Sequence, residues 1–131
     1  MGDLDKPAPL KPGDKVMVVE DDPDLRGTIV DILADQGFAV VEAHDGRAAL
    51  QTLDEGELPA LILLDLMMPL CSGWEFLHAR DKSSRLKNVP VVVMSALPPE
   101  AARIDADVLG HWRKPLDVSQ LLTSMRALTA A

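Results

Sequence analysis

The sequence has few of the residues that build a cross-linked or aromatic-rich protein. Of its 131 residues one is cysteine, none is tyrosine, and the aromatic residues together make up 3%. Cys71 is the only cysteine, so the chain can form neither an internal disulfide bond nor a zinc site built on cysteine pairs. A single free cysteine fits the reducing cytoplasm. The core of the protein therefore has to be built from aliphatic side chains.

Long apolar segments are also missing. No run approaches the roughly 18 residues that a membrane span needs, and the opening stretch MGDLDKPAPLKPGD lacks the apolar segment of a signal peptide. The Met-Gly start is not a myristoylation signal, because Lys6 occupies the position that requires serine or threonine. We therefore expect no membrane contact, a flexible leader over residues 1–14 and a single domain over residues 15–131.

Positive charge is in deficit. The chain has 13 lysine and arginine residues against 21 aspartate and glutamate residues, which gives a net charge of −8. A nucleic-acid surface needs a basic stripe, so direct contact with nucleic acid is not expected. An acidic balance is compatible with a cation site, with a basic partner protein, or simply with solubility.

The sequence does contain an alternation of strand and helix patterns. Short apolar runs typical of buried strands occupy residues 15–20, 38–43, 60–64, 89–95 and 108–114. Apolar residues recur at helical spacing in five segments that follow these runs, and the fourth segment is short and begins near Pro99. Strands that alternate with helices form a parallel sheet joined by right-handed crossovers. The expected fold class is α/β, a doubly wound five-stranded parallel sheet with helices on both faces.

Polar side chains occupy the carboxyl ends of these strands. They are Glu20 and Asp21 after the first strand, Asp65 at the third, Ser95 at the fourth and Lys114 at the fifth. Doubly wound sheets bind ligands at this edge. Carboxylates gathered without histidine or cysteine favour Mg²⁺, and a hydroxyl and an ammonium group can hold phosphoryl oxygens. A carboxylate at the centre of such a site can act as a nucleophile and become an aspartyl phosphate.

Four motifs in this order resemble the receiver domain of two-component response regulators. They are VVEDDPDLR, LILLDLMMPLCSG, VVVMSA and RKPLD, and the match covers about residues 15–128. The resemblance implies the flavodoxin-like sheet of chemotaxis-regulator-like receivers, with strand order 2-1-3-4-5. It also implies a role in phosphorelay signal transduction.

The resemblance implies a role for each matching position. Asp65 would be the phosphoacceptor and would take the phosphoryl group from a sensor histidine kinase or a phosphotransfer protein. The bound ion would be Mg²⁺, with Mn²⁺ as an alternative. Its ligands would be Asp21 directly, Glu20 mostly through water, Asp65, and the backbone carbonyl of Met67.

Two further positions would respond to phosphorylation. Ser95 would hydrogen bond to the phosphoryl group and move toward it, Lys114 would pair with it, and the Lys114–Pro115 peptide bond would be cis. The surface formed by helix 4, strand 5 and helix 5 would then signal to a downstream protein or form a phosphorylation-dependent homodimer. Such a domain is not an enzyme in the ordinary sense, because the only reactions it catalyses are its own phosphorylation and the slow loss of its own phosphoryl group.

The sequence departs from the family pattern in places. Leu70 stands where the family usually has glycine, Ser72 where it often has aspartate, and the stretch between Ser95 and Lys114 is short. His111 replaces the aromatic residue that rotates in the switch. Imidazole changes charge between about pH 5 and 8, so His111 is either a pH-dependent part of the switch or a solvent-facing bystander.

Two other functions use similar residues. A Mg²⁺-dependent phosphohydrolase of the haloacid-dehalogenase type also has an aspartate nucleophile, but it needs a general acid two residues later, where this chain has Met67. An unphosphorylated interaction module on the same fold would be expected to lack an acidic ligand, Asp65 or Lys114, and none of these is missing. Asp22 is better interpreted as a helix N-cap than as a ligand. The sequence leaves open whether the receiver acts alone or within a longer protein.

Overall fold

A computed structural model describes residues 9–69, 71–104 and 106–129 of the chain. Strands and helices alternate along it in the order β1 Lys15–Val19, α1 Pro23–Asp35, β2 Ala39–Ala43, α2 Gly46–Glu55, β3 Leu61–Asp65, α3 Gly73–Lys82, β4 Val91–Ser95, α4 Pro99–Ala102, β5 Gly110–Arg113 and α5 Val118–Leu128. The strands form one sheet in the order β2-β1-β3-β4-β5, and every neighbouring pair is parallel. The predicted fold class and strand order are confirmed.

Helices cover both faces of the sheet. One apolar cluster packs α1 and α5 against the sheet through Ile29, Leu33, Leu121 and Met125, and the other packs α2, α3 and α4 against the opposite face. As a result β3 and β4 are buried along their whole length. This explains why their sequences show no alternation of polar and apolar residues. In these two central strands, a ligand can be reached only at the strand ends.

Side-chain caps determine where several helices begin. The carboxylate of Asp22 accepts hydrogen bonds from the backbone N–H groups of Asp24 and Leu25, so its predicted role as the N-cap of α1 is confirmed. Ser72 and Glu75 form a reciprocal capping box at the start of α3. These caps satisfy N–H groups that have no partner within the helix. The first turns of α1 and α3 therefore lie next to the carboxyl ends of β1 and β3.

The strand boundaries differ from the sequence prediction by one or two residues, and the fourth strand has a clear physical reason. The fourth strand begins at Val91, two residues later than predicted, because Pro90 has no N–H to donate to the ladder and contributes only its carbonyl, which accepts from Ile62 N at 2.9 Å. The fourth helix, Pro99–Ala102, is as short as expected. None of the helices in the described part of the chain has the length and apolarity needed to span a membrane.

The segment before β1 is packed against the domain. Leu10 is only 5% exposed, its N–H donates to the carbonyl of Leu128 at 2.7 Å, and it forms a parallel bridge with Thr129. The N–H of Gly13 donates to the carbonyl of Gly37 at 2.8 Å. An apolar side chain before β1 therefore fills the core beside the end of α5, while the flexible leader over residues 1–14 stays a prediction. Residues 1–8 of that leader, and Leu70, lie outside the described residues.

Candidate functional site

Asp65 is the last residue of the central strand β3 and is 2% exposed. Its Oδ1 atom accepts a hydrogen bond from the backbone N–H of Met67 at 3.2 Å and lies 3.2 Å from the ammonium nitrogen of Lys114. An isolated carboxylate at this depth would be strongly unfavourable. The ion pair and the backbone donor explain how the strand can end on a buried acid.

Lys114 connects two acidic residues at the ends of different strands, Glu20 just after β1 and Asp65 at the end of β3. Its Nζ atom donates to Oε1 of Glu20 at 2.7 Å in addition to its contact with Asp65. The other carboxylate oxygen of Glu20 accepts from the backbone N–H of Asp22 at 3.2 Å. The backbone of Lys114 is fixed by its own N–H, which donates to the carbonyl of Ser95 at 2.8 Å. The Lys114–Pro115 peptide bond is cis.

The site perturbs the ionisation of its central carboxyl group. The pKa of Asp65 is raised from 3.8 to about 7; burial is the largest cause, the negative charge of Glu20 adds to the rise, and the positive charge of Lys114 offsets part of it. Burial would lower the pKa of Lys114, but its hydrogen bond to Glu20 and the charge of Asp65 outweigh this and raise it. One ammonium group is thus too little to neutralise the acidic cluster.

Three carboxylates could hold a metal ion. Glu20, Asp21 and Asp65 each offer an oxygen atom, and these atoms all lie within 4.8 Å of one another. Glu20 and Asp65 are buried, whereas Asp21 is exposed and faces solvent. Hard oxygen donors without nitrogen or sulfur suit Mg²⁺, which keeps part of its water shell and so needs few protein ligands. The donor set therefore fits the ion that the sequence implies.

Ser95 and Met67 lie around the central carboxylate. Ser95 is fully buried at the end of β4, and its hydroxyl oxygen accepts from the backbone N–H of Leu97 at 3.0 Å. The hydroxyl hydrogen can therefore be donated elsewhere. The side chain of Met67 is 59% exposed and carries no ionisable group, so it cannot serve as the general acid of a phosphohydrolase.

Arg26 is a part of the site that the sequence analysis missed. From the first turns of α1, its Nη1 atom donates to the backbone carbonyl of Glu20 at 2.8 Å, and its Nε atom donates to Oε1 of Glu42 at 3.2 Å. Its position in the sequence could have indicated this role. Arg26 follows the cap Asp22 by four residues, which places it one turn along α1 and beside the end of β1.

His111 lies on the sheet face covered by α2, α3 and α4. Its register partner on β4 is Val93, a member of that apolar cluster, whereas Trp112 packs on the opposite face, as strand alternation predicts. The Nε2 atom of His111 is buried and meets no hydrogen-bond partner among the described residues. This burial argues against the interpretation of a solvent-facing side chain.

A parallel sheet in this order, with acids at the ends of β1 and β3 and a lysine after β5, is the arrangement of a response regulator. The family model for the response regulator receiver domain matches residues 16–126, and the chain belongs to this family. Receiver domains are signalling domains rather than enzymes of the usual kind.

Individual relatives agree with this assignment. The chain is 36% identical over 119 residues to the probable transcriptional regulator ycf29 of Pyropia yezoensis, a match that covers 88% of this chain and 53% of the relative. It spans about half the length of the curated relatives it matches first. The chemotaxis response regulator CheY4 of Vibrio cholerae superimposes with a TM-score of 0.80 at 28% identity, covering 88% of this chain and 98% of that one.

A further solved structure extends the comparison of folds. The receiver domain of the sensor histidine kinase PA1611 from Pseudomonas aeruginosa PAO1 superimposes with a TM-score of 0.77 at 21% identity, and the match covers 88% of this chain and 97% of that one. That protein is described with a magnesium ion coordinated in its active site cleft.

Proposed function

We propose that this receiver domain accepts a phosphoryl group on Asp65 from the phosphohistidine of a sensor histidine kinase or of a phosphotransfer protein, in a Mg²⁺-dependent reaction. The observation that carries the proposal is the position of Asp65. It is a buried acid at the end of the central strand, in contact with Lys114 and within reach of two further carboxylates. A purely structural ion pair would not need the additional acids.

The contacts of Asp65 orient it for attack. Both the N–H of Met67 and the ammonium group of Lys114 contact Oδ1, so we assign the attack to Oδ2. An electron pair of Oδ2 forms the new bond to phosphorus, and the bond between phosphorus and the donor imidazole nitrogen breaks. That nitrogen keeps the bonding electrons, and the product is an acyl phosphate on the aspartate. Lys114 remains beside the group and carries a positive charge toward its oxygens.

Mg²⁺ would be held by Glu20, Asp21, Asp65 and the backbone carbonyl of Met67, and Mn²⁺ would be the alternative ion. When bound, the ion supplies the positive charge that the acidic cluster and the phosphoryl oxygens need. The chain itself supplies the rigid strand ends. The solved structure of the same fold that is described with magnesium in its active site cleft supports this assignment.

Phosphorylation would be transmitted by Ser95, whose hydroxyl can donate to a phosphoryl oxygen from its buried position at the end of β4. The surface made by α4, β5 and α5 would then change and bind a downstream protein or a second copy of the chain. We assign this activity to a receiver domain over residues 15–131, to which residues 9–14 are packed. A cytoplasmic location fits the single cysteine.

A small phosphodonor tests the proposal without the unknown kinase. Incubation with acetyl phosphate and Mg²⁺ should add one phosphoryl group, visible by intact-mass spectrometry. The adduct should disappear in Asp65→Asn and persist in the control Asp54→Asn, which changes an exposed aspartate on α2. An adduct that persists in Asp65→Asn would exclude Asp65 as the acceptor. Absence of any adduct in the parent protein would favour the unphosphorylated interaction module.

A further inference from the structure

We propose that Arg26 is a positioning residue of the phosphorylation site. It would hold the turn after β1 so that the carboxylates of Glu20 and Asp21 face Asp65. The inference rests on the proposed function, because it concerns the ion that these carboxylates would bind. Arg26 itself would contact neither the ion nor the phosphoryl group.

The turn after β1 needs a partner that the sheet does not provide. The ladder between β1 and β2 ends at the pair Val19 and Ala43, and the N–H of Glu20 makes one last contact with the carbonyl of Ala43 at 3.1 Å. The carbonyl of Glu20 lies beyond the ladder, and it accepts from Nη1 of Arg26 at 2.8 Å. A buried carbonyl that loses its donor is unfavourable.

The guanidinium group of Arg26 is itself held in place. Its Nε atom donates to Glu42, the residue before the end of β2, and the side chain is 20% exposed. The backbone N–H of Arg26 donates to the carbonyl of Asp22 at 2.9 Å in the first turn of α1. One side chain thus joins α1, the acidic turn and β2. These three parts determine where the two carboxylates of the turn point.

The positive charge of Arg26 and its contact with the turn after β1 predict opposite effects on Mg²⁺ affinity. A positive charge close to the acidic cluster repels Mg²⁺, so its removal should strengthen binding if charge alone matters. Loss of the contact with the Glu20 carbonyl should loosen the turn and weaken binding. Lysine keeps the charge but has one nitrogen atom in place of the planar fork, so it cannot reproduce both contacts in the same geometry. The two variants together separate the effects.

The experiment compares Arg26→Lys and Arg26→Gln with the parent and with Arg47→Gln. Arg47 is an exposed residue in the first turn of α2, at the same edge of the sheet, and serves as the control for loss of charge. Mg²⁺ affinity is measured by calorimetry on the metal-free protein, and backbone NMR spectra are recorded before metal is added. The rate of phosphorylation by acetyl phosphate is measured over a range of Mg²⁺ concentrations.

Both Arg26 variants should bind Mg²⁺ roughly tenfold more weakly, the size of effect found when an outer contact of a metal ligand is lost. Their metal-free NMR spectra should show shifted amide signals for residues 20–22, which Arg47→Gln should not show. Their phosphorylation rates should approach the parental rate within about twofold once Mg²⁺ saturates, because Asp65 and Lys114 are untouched.

Several results would overturn the inference. Unchanged affinity and unchanged amide signals in both variants would make Arg26 a bystander. Tighter binding in Arg26→Gln with parental binding in Arg26→Lys would show that only its charge acts. If the parent neither binds Mg²⁺ nor accepts phosphate, the proposed function fails instead, and the metal-free spectra still decide whether Arg26 holds the turn. Should Arg26→Gln fail to fold, Arg26→Lys carries the same prediction.

Discussion

Replacing Asp65 by asparagine should stabilise the metal-free protein, although the change removes a partner of Lys114. Asp65 is buried, and its pKa is raised from 3.8 to about 7, mainly by that burial. The folded protein therefore binds a proton more tightly at Asp65 than the unfolded chain does. Between these two values folding takes up a proton, so stability is lost as the pH rises toward 7. Asparagine cannot ionise and avoids this loss.

The size of the effect follows from the pKa difference. A pKa of about 7 in the folded state instead of 3.8 in the unfolded chain corresponds to at most about 4 kcal/mol of unfolding free energy at pH 8. The attraction of Lys114 is already contained in that pKa, so it is not subtracted again. We expect a gain of up to about 4 kcal/mol at pH 8 and of no more than about 1.7 kcal/mol at pH 5, where the unfolded carboxyl group is already ionised. For 131 residues the gain at pH 8 is at most about 15 °C in Tm.

Thermal unfolding in the presence of a chelator measures this difference at pH 5 and pH 8. The matched control is Asp54→Asn, which removes an exposed carboxylate from α2 and should change Tm little at either pH. A gain for Asp65→Asn that is the same at both pH values would refute the role of ionisation. A loss of stability at pH 8 would show that the pair with Lys114 outweighs the cost of burying the charge.

Three further predictions concern the ion, the lifetime of the phosphorylated form and the switch. Mg²⁺ at ten times its Kd should stabilise the parent by about 1.4 kcal/mol. Asp21→Ala should lose the resulting rise in Tm, and Asp22→Ala should keep it. The reverse result would show that Asp22, and not Asp21, is the ligand. The phosphorylated form should last hours, because neither Met67 nor Leu97 can orient a water molecule; a half-life of seconds by intact mass would contradict this. If His111 couples the switch to pH, the NMR shifts that beryllofluoride induces in the parent protein should differ between pH 6 and pH 8, and His111→Ala should abolish this difference. Identical shifts of the parent protein at the two pH values would exclude such coupling.

Much of the fold and of the site could be predicted because the signals are local. The buried runs of β3 and β4, and the cap at Asp22, depend on neighbouring residues in the chain. The convergence of Glu20, Asp65 and Lys114 follows from topology alone, since parallel strands bring their carboxyl ends to one edge. No side-chain geometry was needed for that step.

Contacts that depend on side-chain geometry could not be predicted. Lys114 was expected to pair with the phosphoryl group, and its hydrogen bond to Glu20 spans 94 positions of the chain. Arg26 could have pointed to solvent, as most arginines on an exposed helix do, and only the placement of α1 over the end of β1 brings it to a backbone carbonyl. Leu10 lies in a stretch rich in proline and charge, and its burial depends on where α5 ends.

The pairing of Leu10 with Thr129 has a practical consequence for experiments on this protein. It brings the two ends of the described chain side by side at the amino-terminal edge of the sheet, opposite Asp65. A fluorescent donor and acceptor attached at their exposed neighbours, Lys11 and Ala127, would be close together in the folded state and would separate on unfolding. A short linker between the two ends would allow circular permutation, with new termini between the exposed residues Lys87 and Asn88. Labels and linkers placed there leave the phosphorylation edge free for a kinase.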